Sequence, residues 1–484
     1  MRLLWPHPKP PLSWRRVPPE SMTAALPNAS IFRAYDLRGV VGENLQMADG
    51  YAIARAFASQ VIDLAGNPTP KIVLMRDGRL SSPALASQFR EGLMSTGAVV
   101  LDAGIGPTPM CYFAGLHLAA EGAVMVTGSH NPKDHNGAKF TFGGKSLHGE
   151  ALMELRRRLA HGAIITGRGH SEEVSVLEPY LAAIKKALPP GLRLGDLNIA
   201  WDAGNGAAGE VIEALVAGSA RAATTLYTKP DGNFPHHHPD PCEEENLQDL
   251  KKIVRQRGAM MGLAFDGDGD RLGVVDDRGR RVSPDHLLML FARDILSRYS
   301  DATIMADVKT SDQFFTDVKL HGGHPLMWKT GHALIKDKMR ETGALFAGEA
   351  SGHIFFADEY LGYDDALYAA LRLVRIVMAS GQKLSALVAS LPPLHSSLEW
   401  RIPCAESEKQ RIMEGLAARL LKEGARVNRL DGVRVSNDHG WWLIRTSNTQ
   451  AMLTVRCEGF GASGLAENRH QLAQYLKEYG LRLP

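Results

Sequence analysis

The sequence predicts an α/β protein built from several units of similar size, and three observations carry that prediction. Short apolar runs alternate with longer amphipathic ones, glycines cluster where runs end, and the pattern breaks and resumes along 484 residues. That length is too great for one hydrophobic core, so three or four domains are expected.

The elements follow in order. AIARAFASQVIDLAG reads as a helix, KIVLM (71–75) as a strand and PALASQFREGLMSTG as a second helix; AVVLDAG (98–104) and GAVMVTG (122–128) read as further strands. Near-continuous apolar runs separated by helical stretches indicate parallel strands covered on both faces. The alternation resumes at NIAWDAG, MMGLAFDG, TIMADV and ALFAGE. The last segment differs: strand-like LEWRIP, a helix from Glu406 to about Glu423, then strand-like WWLIRTS and AMLTVRCEG, a smaller α+β domain. Polar sequence near GRGHSEE (167–173), the charged stretch DDRGRR (276–281) and Pro392-Pro393 mark expected boundaries, giving domains over 28–176, 177–280, 281–391 and 392–484. Residues 1–27 carry six prolines and a basic excess within the first 21 residues and read as a disordered extension, with Met22 a candidate start.

Lys plus Arg is 55 against 53 for Asp plus Glu, a net charge of +2, which argues against nucleic acid as the main partner. No apolar run approaches the roughly 18–20 residues of a membrane span. Cys111, Cys242, Cys404 and Cys457 are scattered without a Cys-x-x-Cys pair, so a reducing cytoplasm is the expected compartment.

Four constellations bear chemistry. Thr127-Gly128-Ser129-His130-Asn131-Pro132 ends an apolar strand, where open α/β sheets present ligand-binding groups. Gly128 and Pro132 would hold the Ser129 hydroxyl out of the sheet, and Lys139 brings a cation near the same loop; alone, the motif also fits a plain turn. Asp266-Gly267-Asp268-Gly269-Asp270-Arg271 is expected to be an extended loop whose alternate carboxylates converge. Carboxylates about 4 Å apart repel by roughly 4 kcal/mol per pair at an effective dielectric of 20, so a divalent oxygen-loving ion, Mg²⁺, is the economical solution. A calcium loop of EF-hand type fails, because its sixth and twelfth positions hold Arg271 and Asp277 in place of Gly and Glu. Gly348-Glu349-Ala350-Ser351-Gly352-His353 offers Glu, Ser and His at alternate positions to a polyhydroxyl ligand, with Lys309 and His332 after comparable turns. Arg445-Thr446-Ser447-Asn448-Thr449 combines an Arg fork, hydroxyls and turn amides into a phosphate cradle, or forms a hydroxyl-rich hairpin turn.

Two decoys are set aside. Gly204-Asn205-Gly206-Ala207-Ala208-Gly209 matches a dinucleotide fingerprint, but Lys229 stands near where the required acid belongs. His236-His237-His238 sits between prolines and reads as a structural loop, since adjacent histidines cannot all ligate one ion.

TGSHNP, DGDGDR, GEASGH and RTSNT occur in an order that resembles the α-D-phosphohexomutase superfamily, specifically its bacterial phosphomannomutase/phosphoglucomutase branch, as does Phe32-Arg33-Ala34-Tyr35-Asp36-Leu37-Arg38-Gly39. The resemblance spans about residues 28–484. It implies three related α/β domains with mixed sheets and a smaller α+β phosphate-binding domain, arranged around a central cleft. It further implies phosphoserine chemistry at Ser129, with Mg²⁺ held by Asp266, Asp268, Asp270 and the Ser129 phosphate. Glu349 and Ser351 would grip sugar hydroxyls; Arg445, Ser447, Asn448 and Thr449 would hold the non-reacting phosphate. Tyr35, Arg38, Lys309 and His332 would line the cleft, and His130, Lys139, Arg271 and His353 would share proton and charge management. The implied reaction is reversible phosphoryl transfer between the 1- and 6-hydroxyls of mannose or glucose phosphates through a hexose 1,6-bisphosphate; a monomer is the default expectation, since the sequence itself carries no sign of oligomeric state. A phosphoglucosamine mutase and a non-catalytic phosphosugar-binding protein are the alternatives.

Overall fold

The computed structural model describes residues 26–218, 222–447 and 451–483. The Pro-rich segment up to residue 25, with Met22, lies outside the described residues, as do Asn448 and Thr449. The chain forms two compact units: one runs to Val275 and includes Asp365–Leu371, the other comprises Asp276–Asp364 and Arg372–Pro484.

The first unit opens with a mixed sheet of β1 (Leu37–Val40), β2 (Lys71–Arg76), β3 (Val99–Ile105), β4 (Gly122–Val126), β5 (His135–Phe142), β6 (Lys145–Ser146) and β7 (His170–Glu173). Their order is β1-β5-β4-β2-β3-β7, with β6 paired to β5. The central β2, β3 and β4 are parallel, while β5 runs antiparallel to β4 and to β1. All five residues of β4 are buried, as expected of a strand covered on both faces. Ala138 and Phe140 of β5 join the core, where Phe140 meets Phe57 with ring centroids 4.9 Å apart, so Lys139 between them projects from the opposite face. The polar GRGHSEE segment, where a domain boundary is expected and no strand is read, supplies β7, parallel to β3. Its side chains are exposed, so main-chain pairing at a sheet edge holds it, and hydrophobic patterning gives no sign of that.

The second sheet of this unit contains β8 (Ile199–Asp202), β9 (Thr224–Leu226), β10 (Met261–Phe265) and β11 (Leu272–Asp276), in the order β11-β10-β8-β9. Strand β8 is parallel to β9 and β10. The Gly204–Gly209 stretch makes the close turn after β8; a Cβ on Gly209 would stand 1.7 Å from the Thr228 carbonyl oxygen. The three histidines are tied into the loop: His236 to Asn205, His237 to Asp202 and His238 to the His130 carbonyl.

The second unit begins with β12 (Thr303–Asp307), β13 (His324–Trp328), β14 (Phe346–Gly348) and β15 (Ile354–Phe356), ordered β13-β12-β14-β15. It ends with an all-antiparallel sheet of β16 (Trp400–Pro403), β17 (Arg426–Asn428), β18 (Val433–Asn437), β19 (Gly440–Thr446) and β20 (Met452–Gly459), ordered β16-β20-β19-β18-β17. Helices Glu406–Lys422 and Ala462–Glu478 contribute Leu416, Leu420, Leu472 and Leu476 to the core over it. Among the described residues no helix is long and apolar enough to cross a membrane.

Candidate active site

In the first unit the loop after β4 carries Ser129. Its backbone is left-handed, φ +51°, and its N–H donates to Thr127 Oγ1 at 2.8 Å. The hydroxyl lies 3.2 Å from Asp266 Oδ2 and 3.1 Å from His130 Nδ1. Arg38, on β1, donates to Asn131 Oδ1 at 3.1 Å and so ties the first strand to this loop, while Tyr35 sits half-buried just before it.

The Asp266–Asp270 segment differs from the extended loop expected of it. Gly269 N–H donates to the Asp266 carbonyl and Gly269 has φ +70°, so this is a tight turn, favoured by a residue without a Cβ. The three carboxylates still converge: oxygens of Asp266, Asp268 and Asp270 lie within 4.8 Å of one another, and all three residues are buried. Lys139 Nζ donates to Asp268 at 2.7 Å and to Asp270 at 2.5 Å, and Thr108 Oγ1 donates to Asp268 at 2.5 Å. Burial and the charges of Asp268 and Asp270 push the Asp266 carboxyl well above the usual range. Asp268 is pulled the other way; burial opposes its charge, but the Lys139 ammonium and its hydrogen bonds outweigh it. Burial likewise opposes the charge of Arg271, yet Asp240, Cys242, Asp266 and Asp270 nearby raise its pKa.

A hard divalent cation fits this cluster. Three carboxylates supply the oxygen set such ions prefer, and Asp268 Oδ1 is buried without a hydrogen-bond partner among the described residues. Close approach is built in, since a Cβ on Gly267 would stand 2.5 Å from the Ser129 carbonyl oxygen.

In the second unit, Glu349 and His353 face each other across the tight turn joining β14 to β15, where Glu349 N–H donates to the His353 carbonyl. Ser351 occupies the tip of that turn, half-buried. Glu349 Oε1 accepts from Gly331 N–H at 2.7 Å, and burial, with Asp307 nearby, raises its pKa against the pull of His353 and Lys309. His332 starts a helix, and its ring stacks on His353 with centroids 5.8 Å apart. Asp364, buried and unforeseen from the sequence, lies 3.2 Å from His353 Nδ1 and 2.9 Å from Lys336 Nζ. Lys336 follows His332 by four residues on one helix face, the spacing that signals such a pair.

Lys309 forms an ion pair with Glu399 at 2.9 Å. Arg445 Nε donates to Asp431 Oδ2 at 3.2 Å, and the same oxygen accepts Thr330 N–H at 3.0 Å. Ser447 pairs its main chain with Met452 and accepts Lys409 Nζ at its carbonyl.

Three successive sheets built on parallel strands, a C-terminal antiparallel domain and a serine beside clustered acids fit a phosphotransfer class. Family models bear this out over most of the chain: phosphoglucomutase/phosphomannomutase alpha/beta/alpha domain I matches residues 29–163, domain II 178–279, domain III 283–395 and the C-terminal domain 399–474. The chain belongs to this family, within the α-D-phosphohexomutase superfamily, and is an enzyme of the isomerase class, an intramolecular phosphotransferase. It is 41% identical to a phosphomannomutase/phosphoglucomutase of Pseudomonas aeruginosa, over 94% of this chain and 97% of that one. It is 42% identical to a phosphoglucomutase of Neisseria gonorrhoeae, over 88% and 92%. A crystal structure of a phosphoglucomutase/phosphomannomutase family protein from Burkholderia thailandensis superposes with a TM-score of 0.84 at 40% identity, covering 94% of this chain and 99% of that one.

Proposed function

We propose that the chain interconverts the 1- and 6-phosphates of mannose or glucose through a phosphoserine at Ser129. The observation that carries this reading is the Ser129 hydroxyl 3.2 Å from Asp266, within a buried trio of acids. Mg²⁺ bound to Asp266, Asp268 and Asp270 would supply charge neutralisation at phosphoryl oxygens. The sugar hydroxyl takes the phosphoryl from phospho-Ser129: the serine O–P bond breaks, a sugar O–P bond forms, and the proton lost by the sugar hydroxyl is balanced by one gained at the departing Ser129 oxygen. The hexose 1,6-bisphosphate so formed returns its other phosphoryl to Ser129: the second sugar O–P bond breaks, the serine O–P bond forms again, and the proton lost by the Ser129 hydroxyl is balanced by one gained at the departing sugar oxygen. His130, with Nδ1 3.1 Å from Ser129 Oγ, is the nearby acceptor for the Ser129 proton. Lys139 balances charge among the acids, with Arg271 and Arg38 as further cations. Glu349, Ser351, His332, His353, Lys309 and Tyr35 are assigned to the sugar, and Arg445, Ser447, Asn448 and Thr449 to the phosphate that does not react.

The domain boundaries at 28–176, 177–280, 281–391 and 392–484 belong to the same reading, supported by the spacing of the family matches. So does a cytoplasmic location, supported by four free cysteines. Ser129→Ala is expected to abolish turnover of mannose and glucose 1-phosphates, and the parent protein to carry one phosphate on Ser129 by peptide mass analysis. Full activity in Ser129→Ala would remove the nucleophile. Faster turnover of glucosamine 6-phosphate than of mannose 6-phosphate would change the sugar.

A further inference from the structure

Behind the serine loop lies a pair of charges that the reaction itself does not use. After β2 the chain turns through Asp77-Gly78-Arg79, and both charged residues are 1% exposed. Asp77 Oδ2 accepts the Thr127 hydroxyl at 2.9 Å, the Gly128 N–H at 3.1 Å and Arg79 Nε at 3.2 Å. Its other oxygen accepts the Arg79 N–H at 3.1 Å and the Ser82 hydroxyl.

The remaining Arg79 nitrogens turn toward the serine loop. Nη1 donates to the carbonyls of Pro132 at 2.5 Å and His135 at 3.1 Å; Nη2 donates to those of Ser129 and Asn131, each at 2.6 Å. A guanidinium has five N–H donors in a fixed plane, and here all five are used. Four carbonyl dipoles from residues 129–135 thus point at one buried cation. Without that cation their oxygens would repel, and the loop would open. The fit leaves no slack: a Cβ on Gly128 would stand 2.4 Å from Arg79 Nε, which accounts for the glycine of the Thr-Gly-Ser motif.

We propose that Arg79, with Asp77 as its counter-ion, is the positioning residue for the Ser129 hydroxyl, an inference that rests on Ser129 being the phosphoryl carrier. Ser129 is held at φ +51°, a left-handed conformation that is unfavourable for a residue with a Cβ. The Arg79 bond to the Ser129 carbonyl and the Thr127 bond to its N–H grip the residue on both sides and hold that conformation. The hydroxyl is thereby aimed at Asp266 before substrate arrives. A nucleophile displaced by about 1 Å loses roughly 100-fold in rate without any loss of substrate binding. Lysine keeps the charge but not the planar fork, so it cannot gather the four carbonyls.

The test uses the full chain carrying Arg79→Lys or Thr127→Val, with Ser129→Ala and the parent alongside. For each, the unfolding midpoint, kcat, KM and rate of Ser129 phosphorylation by glucose 1,6-bisphosphate are measured below the midpoint. Arg79→Lys is expected to lower kcat and the phosphorylation rate together by about 100-fold, and Thr127→Val by about 10-fold, with KM within about 3-fold. A folded Arg79→Lys protein with kcat within about 3-fold of the parent, or one whose loss lies in KM, overturns the proposal. Should Arg79→Lys fail to fold, Thr127→Val decides by the same criteria. Parent-like activity in Ser129→Ala would instead overturn the phosphoserine reading on which the proposal stands.

Discussion

The Ser129 hydroxyl donates to the Asp266 carboxylate at 3.2 Å, across 137 residues of sequence. One carboxylate thus serves two demands, as neighbour of the serine and as one of three acids expected to share a metal ion. Asp266 Oδ1 also accepts the N–H groups of Asp270 and Arg271 at 3.0 and 3.2 Å, so the residue organises the turn as well. Asp266→Asn keeps the shape but removes a charge and cannot accept at both oxygens. Mg²⁺ affinity by titration calorimetry is expected to fall by about 10–100-fold or more. Unchanged affinity would take Asp266 out of the metal set.

Gly267 tests how tightly the two loops must meet. A Cβ there would stand 2.5 Å from the Ser129 carbonyl oxygen, which also accepts Arg79 Nη2 at 2.6 Å. The oxygen belongs to the backbone and is held by that bond, so Gly267→Ala is expected to separate the serine from the acids and lower kcat by more than about 10-fold. Gly66→Ala is the control: φ is +65° but nothing lies within 4 Å of the added Cβ. That change should cost about 1 kcal/mol of stability and leave kcat alone.

Lys139 is the cation that bonds both Asp268 and Asp270, and removing it leaves buried like charges facing each other. Lys139→Met therefore makes stability depend more strongly on a divalent ion. The expected result is a rise in thermal midpoint on adding Mg²⁺ that is several degrees larger in the variant than in the parent. Equal rises would show that the ammonium does not offset the acids.

Which parts of this were legible in sequence follows from how each is held. Strands such as β2 and β4 are buried apolar runs, and their limits could be read to within about two residues. The serine loop and the acidic turn are composed of residues with little other use, so TGSHNP and DGDGDR were recognisable. Arg79 and Asp77 were not: Asp-Gly-Arg after a strand reads as an exposed turn, and only the fold buries it. Strand β7 was missed for the opposite reason, being made of polar residues that pair through the backbone at an edge. Asp364 carries no local signal, because its partners His353 and Lys336 come from other elements.

Glu399 gives a pH dependence with a definite sign. Burial opposes the charge of its carboxyl, but the Lys309 ammonium 2.9 Å away, with Arg445 and Arg401, lowers its pKa from 4.5 to about 2. The folded state thus holds the proton less tightly than the unfolded chain does. The resulting stabilisation is complete above about pH 4.5 and fades as pH falls toward 2. Its side chain is 27% exposed, so solvent screening limits the contribution to about 2 kcal/mol. Glu399→Gln should lower the unfolding midpoint of the full chain at pH 6, and the gap from the parent should narrow as the solution is acidified below pH 4.5. Other acids titrate over the same range in both proteins, so the difference between the two curves isolates this pair. A gap that stayed constant from pH 6 to pH 3 would mean that Lys309 does not hold the carboxylate charged; a gap that closed would identify the pair as one clasp between the strand-end loop at Lys309 and the start of the C-terminal domain.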